Sequence, residues 1–159
     1  MRKILFFTAF ILLGYMGNAQ GQAIKANPVG LAFGIANAGY EFSTNDNETL
    51  TIVGLYYNIS DISGFGAGLE YRRYFSTDEA LRGWHAGPSA GYYSLEDDFN
   101  NSGGLLIVGA EAGHQWIFGE HFVLDVFAGL NFVTARSDNR AIAVNNTSIG
   151  LGVSLGYAW

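Results

Sequence analysis

The chain has 159 residues, enough for one domain, with 22 glycines against the roughly 11 of an average chain, and 12 Phe, 9 Tyr and 3 Trp. The glycines follow no three-residue period, which excludes collagen, 49% hydrophobic content excludes disorder, and the absence of Cys excludes a disulfide scaffold or a thiolate metal site. With 14 acidic against 8 basic residues there is no electrostatic footprint for nucleic acid.

The first element is an address. Met1-Arg2-Lys3 opens with positive charge, Ile4 to Tyr15 is almost unbroken apolar, and Gly17-Asn18-Ala19 supplies small residues for a peptidase. This predicts a secretory signal peptide over 1–19, cleaved before Gln20, because the run is shorter than the ~20 residues that span a bilayer. Loss of Arg2 and Lys3 leaves six basic against fourteen acidic residues, a mature charge of −8. No later stretch reaches the ~18 apolar residues of a membrane helix.

The remaining segment, 20–159, reads as a single domain of eight strands at 23–34, 35–43, 49–58, 64–75, 82–94, 104–118, 121–134 and 147–159. Alternation is weak in 23–34 and 49–58 and clear elsewhere. In the fourth segment Phe65, Ala67, Leu69 and Tyr71 alternate with Gly66, Gly68, Glu70 and Arg72. In the last, Ile149, Leu151, Val153, Leu155, Tyr157 and Trp159 alternate with Gly150, Gly152, Ser154, Gly156 and Ala158. Period-two alternation sends the two sets to opposite sheet faces, one bulky and apolar, the other nearly bare.

An even number of such strands fits an all-β, closed antiparallel up-and-down transmembrane β-barrel. A soluble lipocalin-like barrel would alternate as well, with its bulky face inward. Three features favour the membrane: rows of Gly and Ser that suit a cramped lumen better than a wetted surface, aromatics at strand ends, and Trp159 closing the last amphipathic strand. With both termini periplasmic, the inner turns are 43–48, 76–81 and 119–121, and the outer loops are 58–63, 95–103, 135–146 and a very short one near Ala36. The inner aromatic girdle is then Phe42, Phe75, Trp84, Trp116, Phe118, Phe122, Tyr157 and Trp159; the outer one is Tyr57, Phe65, Tyr92 and Phe132.

Several stretches carry a resemblance. Ile24-Lys25-Ala26-Asn27-Pro28-Val29-Gly30-Leu31, Gly39-Tyr40-Glu41, Glu70-Tyr71-Arg72-Arg73-Tyr74-Phe75, Arg82-Gly83-Trp84-His85-Ala86-Gly87-Pro88 and the aromatic end resemble small outer-membrane β-barrel proteins of unknown function in Gram-negative bacteria. The plan is similar to the OmpA and OmpX barrels. The resemblance implies an outer-membrane location, contact with outer-membrane lipid, and insertion by the barrel-assembly machinery. Tyr157 and Trp159 would then form the assembly signal. It implies no reaction.

Among polar residues, Glu41, Glu70, Arg72, His85, Glu111 and Asp125 all have lumen parity. They read either as a gate or proton path, or, more simply, as a hydrogen-bonded plug filling the lumen. Arg72 is the only Lys or Arg with clear lumen parity at membrane depth, so the carboxylates are expected to share it. Catalysis would need a nucleophile within reach of a base. His85 and Ser89 stand about 13 Å apart along one strand, His114 faces lipid and His121 lies in a turn. No catalytic, cofactor or metal site is indicated. Glu96-Asp97-Asp98-Phe99-Asn100-Asn101 is rich in oxygen but lacks EF-hand spacing, and reads as a solvated acidic loop. Three functions remain: a non-enzymatic envelope barrel, structural or accessory to a larger outer-membrane complex; a conduit for small solutes or hydrophobic compounds; and a soluble periplasmic ligand-binding barrel.

Overall fold

The computed structural model describes residues 21–59, 62–75, 81–97, 102–137 and 140–159. The remainder, including the segment read as a signal peptide, lies outside the described residues. Eight strands run in order: β1 (Gln22–Ala26), β2 (Ile35–Asn45), β3 (Glu48–Ile59), β4 (Ile62–Tyr74), β5 (Gly83–Asp97), β6 (Ser102–Phe118), β7 (Phe122–Ser137) and β8 (Arg140–Ala158). Each pairs antiparallel with its chain neighbour, and β1 pairs with β8 to close the barrel. No described helix is long and apolar enough to cross a membrane.

The barrel is inside-out relative to a soluble one. Arg72, His85, Gln115, Glu41, Thr49 and Asp125 are among the largest fully buried side chains, while Leu69, Trp84, Val108, Leu130 and Phe132 stand exposed on the outer face. The bulky face therefore points out and the polar face in, opposite to a lipocalin-like core. Lumen glycines make room for rings. A Cβ on Gly66 would lie 2.1 Å from the Tyr93 ring, and one on Gly152 would lie 2.2 Å from that of Phe127.

Three expectations need correction. The first segment is not a strand to residue 34: β1 stops at Ala26, and a short helix α1 (Pro28–Ala32) follows. Pro28 occupies the first helical turn, where its missing N–H costs nothing, and the Asn27 side chain caps the helix by accepting from Gly30 N at 2.8 Å. Gly34, at φ +81°, ends the turn and lies so close to Asn58 O that a Cβ there would clash.

Second, the expected long connections are mostly strand. The pairing of β2 with β3 leaves only Asp46 and Asn47 between them, and β5 to β8 run through most of 95–103 and 135–146. At 15 to 19 residues these strands are far longer than an apolar band of ~25 Å requires.

Third, Tyr57 does not join the outer girdle. It has inward parity and donates to Ser94 O at 2.6 Å, while its neighbour Tyr56 faces outward. The inner ring is more continuous. Tyr40 lies against Phe42 and Trp159, Tyr157 against Trp159 and His121, and His114 between Trp84 and Trp116.

Candidate functional site: the charged lumen cluster

Inward parity on β2, β4, β5, β6 and β7 projects Glu41, Glu70, Arg72, His85, Glu111 and Asp125 into one space, where Arg72 and Asp125 are the hubs. Arg72 Nη1 donates to Asp125 Oδ2 at 2.6 Å, while Nη2 reaches Glu70 Oε2 at 2.8 Å and Glu111 Oε1 at 3.0 Å. The guanidinium plane lies 5.5 Å from the Phe127 ring centre. A planar fork with several donors suits this sharing better than an ammonium. His85 Nε2 lies 2.9 Å from the other Asp125 oxygen, and its ring packs against Tyr74.

Glu41, expected in the lumen from its parity, belongs to a second half of the cluster built on a lysine that the sequence reading left out. Lys25, on β1, is 5% exposed; its Nζ lies 2.6 Å from Glu41 Oε2 and 3.1 Å from Asp125 Oδ2, and donates to Gln115 Oε1 at 2.8 Å. Thr49 and Tyr74 hydroxyls donate to Glu41 Oε1 at 2.6 and 2.8 Å. Gln115 in turn donates to Leu81 O at 2.7 Å. Arg72 is thus not the sole lumen cation. The signal was available: Ile24 and Ala26 face outward, so the lysine between them must face in.

The cluster holds four carboxylates against two permanent cations and one imidazole. Buried charges are costly unless paired and hydrogen-bonded, and this pairing crosses the lumen, tying β1 to β7 and β4 to β6 and β7. No hydroxyl nucleophile bonds His85 among the described residues, and Asp125 is already engaged by both cations. The described residues also hold no group of three or more His, Asp or Glu arranged for a metal ion. Most of the acidic stretch 96–101 lies outside the described residues.

The model of a family described as a protein of unknown function, DUF3575, matches residues 4–147. No curated protein matches the chain by sequence. Among solved structures, the N-terminal β-barrel domain of Pseudomonas aeruginosa OprF is similar at 16% identity and a TM-score of 0.58, covering 88% of this chain and 98% of that one. That likeness is one of fold: a closed eight-stranded barrel.

Proposed function

The chain belongs to the DUF3575 family, and we propose that it is an integral outer-membrane barrel without enzymatic activity, its lumen closed by a plug of paired charges. It serves the envelope structurally or as an accessory subunit of a larger complex. The observation that carries this reading is the inverted burial: Arg72, His85, Glu41 and Asp125 are at most 2% exposed, while aromatic and aliphatic side chains cover the outside. An outer surface of that kind is stable in lipid and unstable in water. The plug assigns the cluster to stability rather than to conduction. On this reading Tyr157 and Trp159 present the aromatic signal to the assembly machinery, and Trp159→Ala slows accumulation of folded barrel.

The tests are fractionation and conductance. The protein should leave membranes only with detergent, migrate heat-modifiably on a gel, and give a silent trace in planar bilayers. A steady wild-type conductance would replace the plug with a channel, and extraction by salt or carbonate would place the barrel outside the membrane.

A further inference from the structure

The barrel closes over only part of its height. Pairing between β1 and β8 ends at Ala26 and Leu155, although β8 continues back to Arg140; pairing between β1 and β2 ends at Ala38, although β2 continues to Ile35. From Ser154 towards Thr147, the β8 edge facing away from β7 therefore has no strand partner among the described residues. The space between β8 and β2 is occupied by α1, none of whose residues is buried. Five residues separate Trp159 from Ser154. That is about 16 Å along the strand, or about 12 Å along the membrane normal at a tilt of ~40°, so the gap opens near the middle of a ~25 Å apolar band.

A cavity of about 200 Å³ lies at this gap, lined by Asn27, Glu111, Phe127, Asn131, Gly150 and Leu151, among others. Leu151 points to the lipid face, whereas Gly150 and Asn131 point inward, so the cavity lies along the free edge of β8. Leu151 and Ile149 are the most exposed large apolar side chains among the described residues, at 83% and 75%.

α1 stands in the gap without backbone hydrogen bonds to β8 among the described residues, and backbone groups left unsatisfied in apolar surroundings cost several kcal/mol each, so this edge calls for a polar occupant. A strand from another chain would cover the edge but leave Glu111 sharing Arg72 with Glu70 and Asp125, with four lumen carboxylates against two permanent cations. A cation carrying N–H donors answers both. The cavity slightly exceeds one of ~150 Å³ that holds benzene, which gives room for a head group and a few methylenes, with a longer chain leaving past Leu151.

We propose that the cleft between β8 and α1 is a lateral binding site for a single-chain amphiphile with a primary ammonium head, entered from the outer leaflet, with Glu111 and Asn131 receiving the head. The full mature barrel in phosphatidylcholine nanodiscs is titrated with decylammonium, and the amide resonances of Gly129, Gly150 and Gly152 are followed by NMR. Saturable shifts are expected with decylammonium, at least tenfold weaker ones with decanol, and none with decanoate. Glu111→Gln should weaken decylammonium at least tenfold. A Cβ at Gly150 would meet only Asn131 Nδ2, at 3.1 Å, so Gly150→Phe should fill the cavity and abolish binding while heat-modifiable migration persists. If that variant does not fold, a bulky maleimide on Leu151→Cys provides the block. Equal shifts with decanoate, absence of saturation, or binding that survives both blocks would overturn the site. Butylammonium binding as tightly as decylammonium would overturn the route through lipid. An intermolecular disulfide through Leu151→Cys in intact membranes would show a second copy on the edge and overturn it as well.

Discussion

Arg72→Ala is the sharpest test of the lumen plug. The guanidinium is 2% exposed and stands within 3.0 Å of oxygens from Glu70, Glu111 and Asp125. Its removal leaves Glu70 and Glu111 with no cation in contact among the described residues, and leaves Asp125 with Lys25 and His85. Deleting one member of a buried ion pair typically costs about 3–5 kcal/mol, because the partner remains desolvated and charged. Against a total stability of ~5–15 kcal/mol, that is a large share of what keeps the barrel folded. Urea unfolding in lipid vesicles, followed by tryptophan fluorescence and heat-modifiable migration, should show the midpoint falling clearly for Arg72→Ala and less for Arg72→Lys. The lysine keeps the charge but cannot reach three carboxylates at once. In planar bilayers the wild type should be silent and Arg72→Ala should flicker as water enters between the repelling carboxylates. An unchanged midpoint together with a silent trace would refute the plug.

Lys25→Met removes the cation nearest Glu41 and should lower stability by about 3 kcal/mol; adding Glu41→Gln should recover most of it, a coupling readable in a double-mutant unfolding cycle. Leu130→Arg puts a charge on the lipid face at a cost of roughly 2–4 kcal/mol near the midplane, whereas Asn131→Arg points towards the lumen carboxylates and should cost much less; unfolding midpoints in the reverse order would contradict the assignment of faces. A Cβ on Gly87 would lie 1.8 Å from Tyr71 O, while one on Gly54 meets nothing within 4 Å. Gly87→Ala should therefore deplete the folded band, and Gly54→Ala should leave it unchanged or gain about 0.5 kcal/mol.

Much of the barrel was legible because lipid outside and a narrow lumen inside impose opposite demands on alternate residues. Where both demands act, as in 104–118 and 121–134, the period is strong and the strands fall where expected. Where one is missing, the pattern fails. Arg136-Ser137-Asp138-Asn139-Arg140 and Asn145-Asn146 are polar runs that read as loop, and they hid the Ala141-Ile142-Ala143-Val144 stretch of β8 between them. Tyr56 and Tyr57 are adjacent rings, and composition cannot say which faces lipid. Reading 23–34 as one strand carried β1 past Pro28, which hid the helix and blurred the short alternation that places Lys25 inward. Parity did draw Glu41, Glu70, Arg72, His85, Glu111 and Asp125 to one side of the sheet. Their division between Arg72 and Lys25 depends on the register linking β1 to β8, which no local pattern encodes.

The unequal strand lengths have a topographic consequence. β2 to β4 have 11 to 13 residues, whereas β5 to β8 have 15 to 19. A difference of about five residues is about 16 Å of hydrogen-bonded sheet, so the barrel end opposite Trp159 is a ramp, low at β3–β4 and walled at β5–β8. If that end faces outward, as the expected periplasmic termini require, a large particle arriving from outside meets a tall fin on one flank and a low rim on the other. With both termini periplasmic, a peptide tag inserted between Asp97 and Ser102 would stand higher above the membrane than one between Ile59 and Ile62.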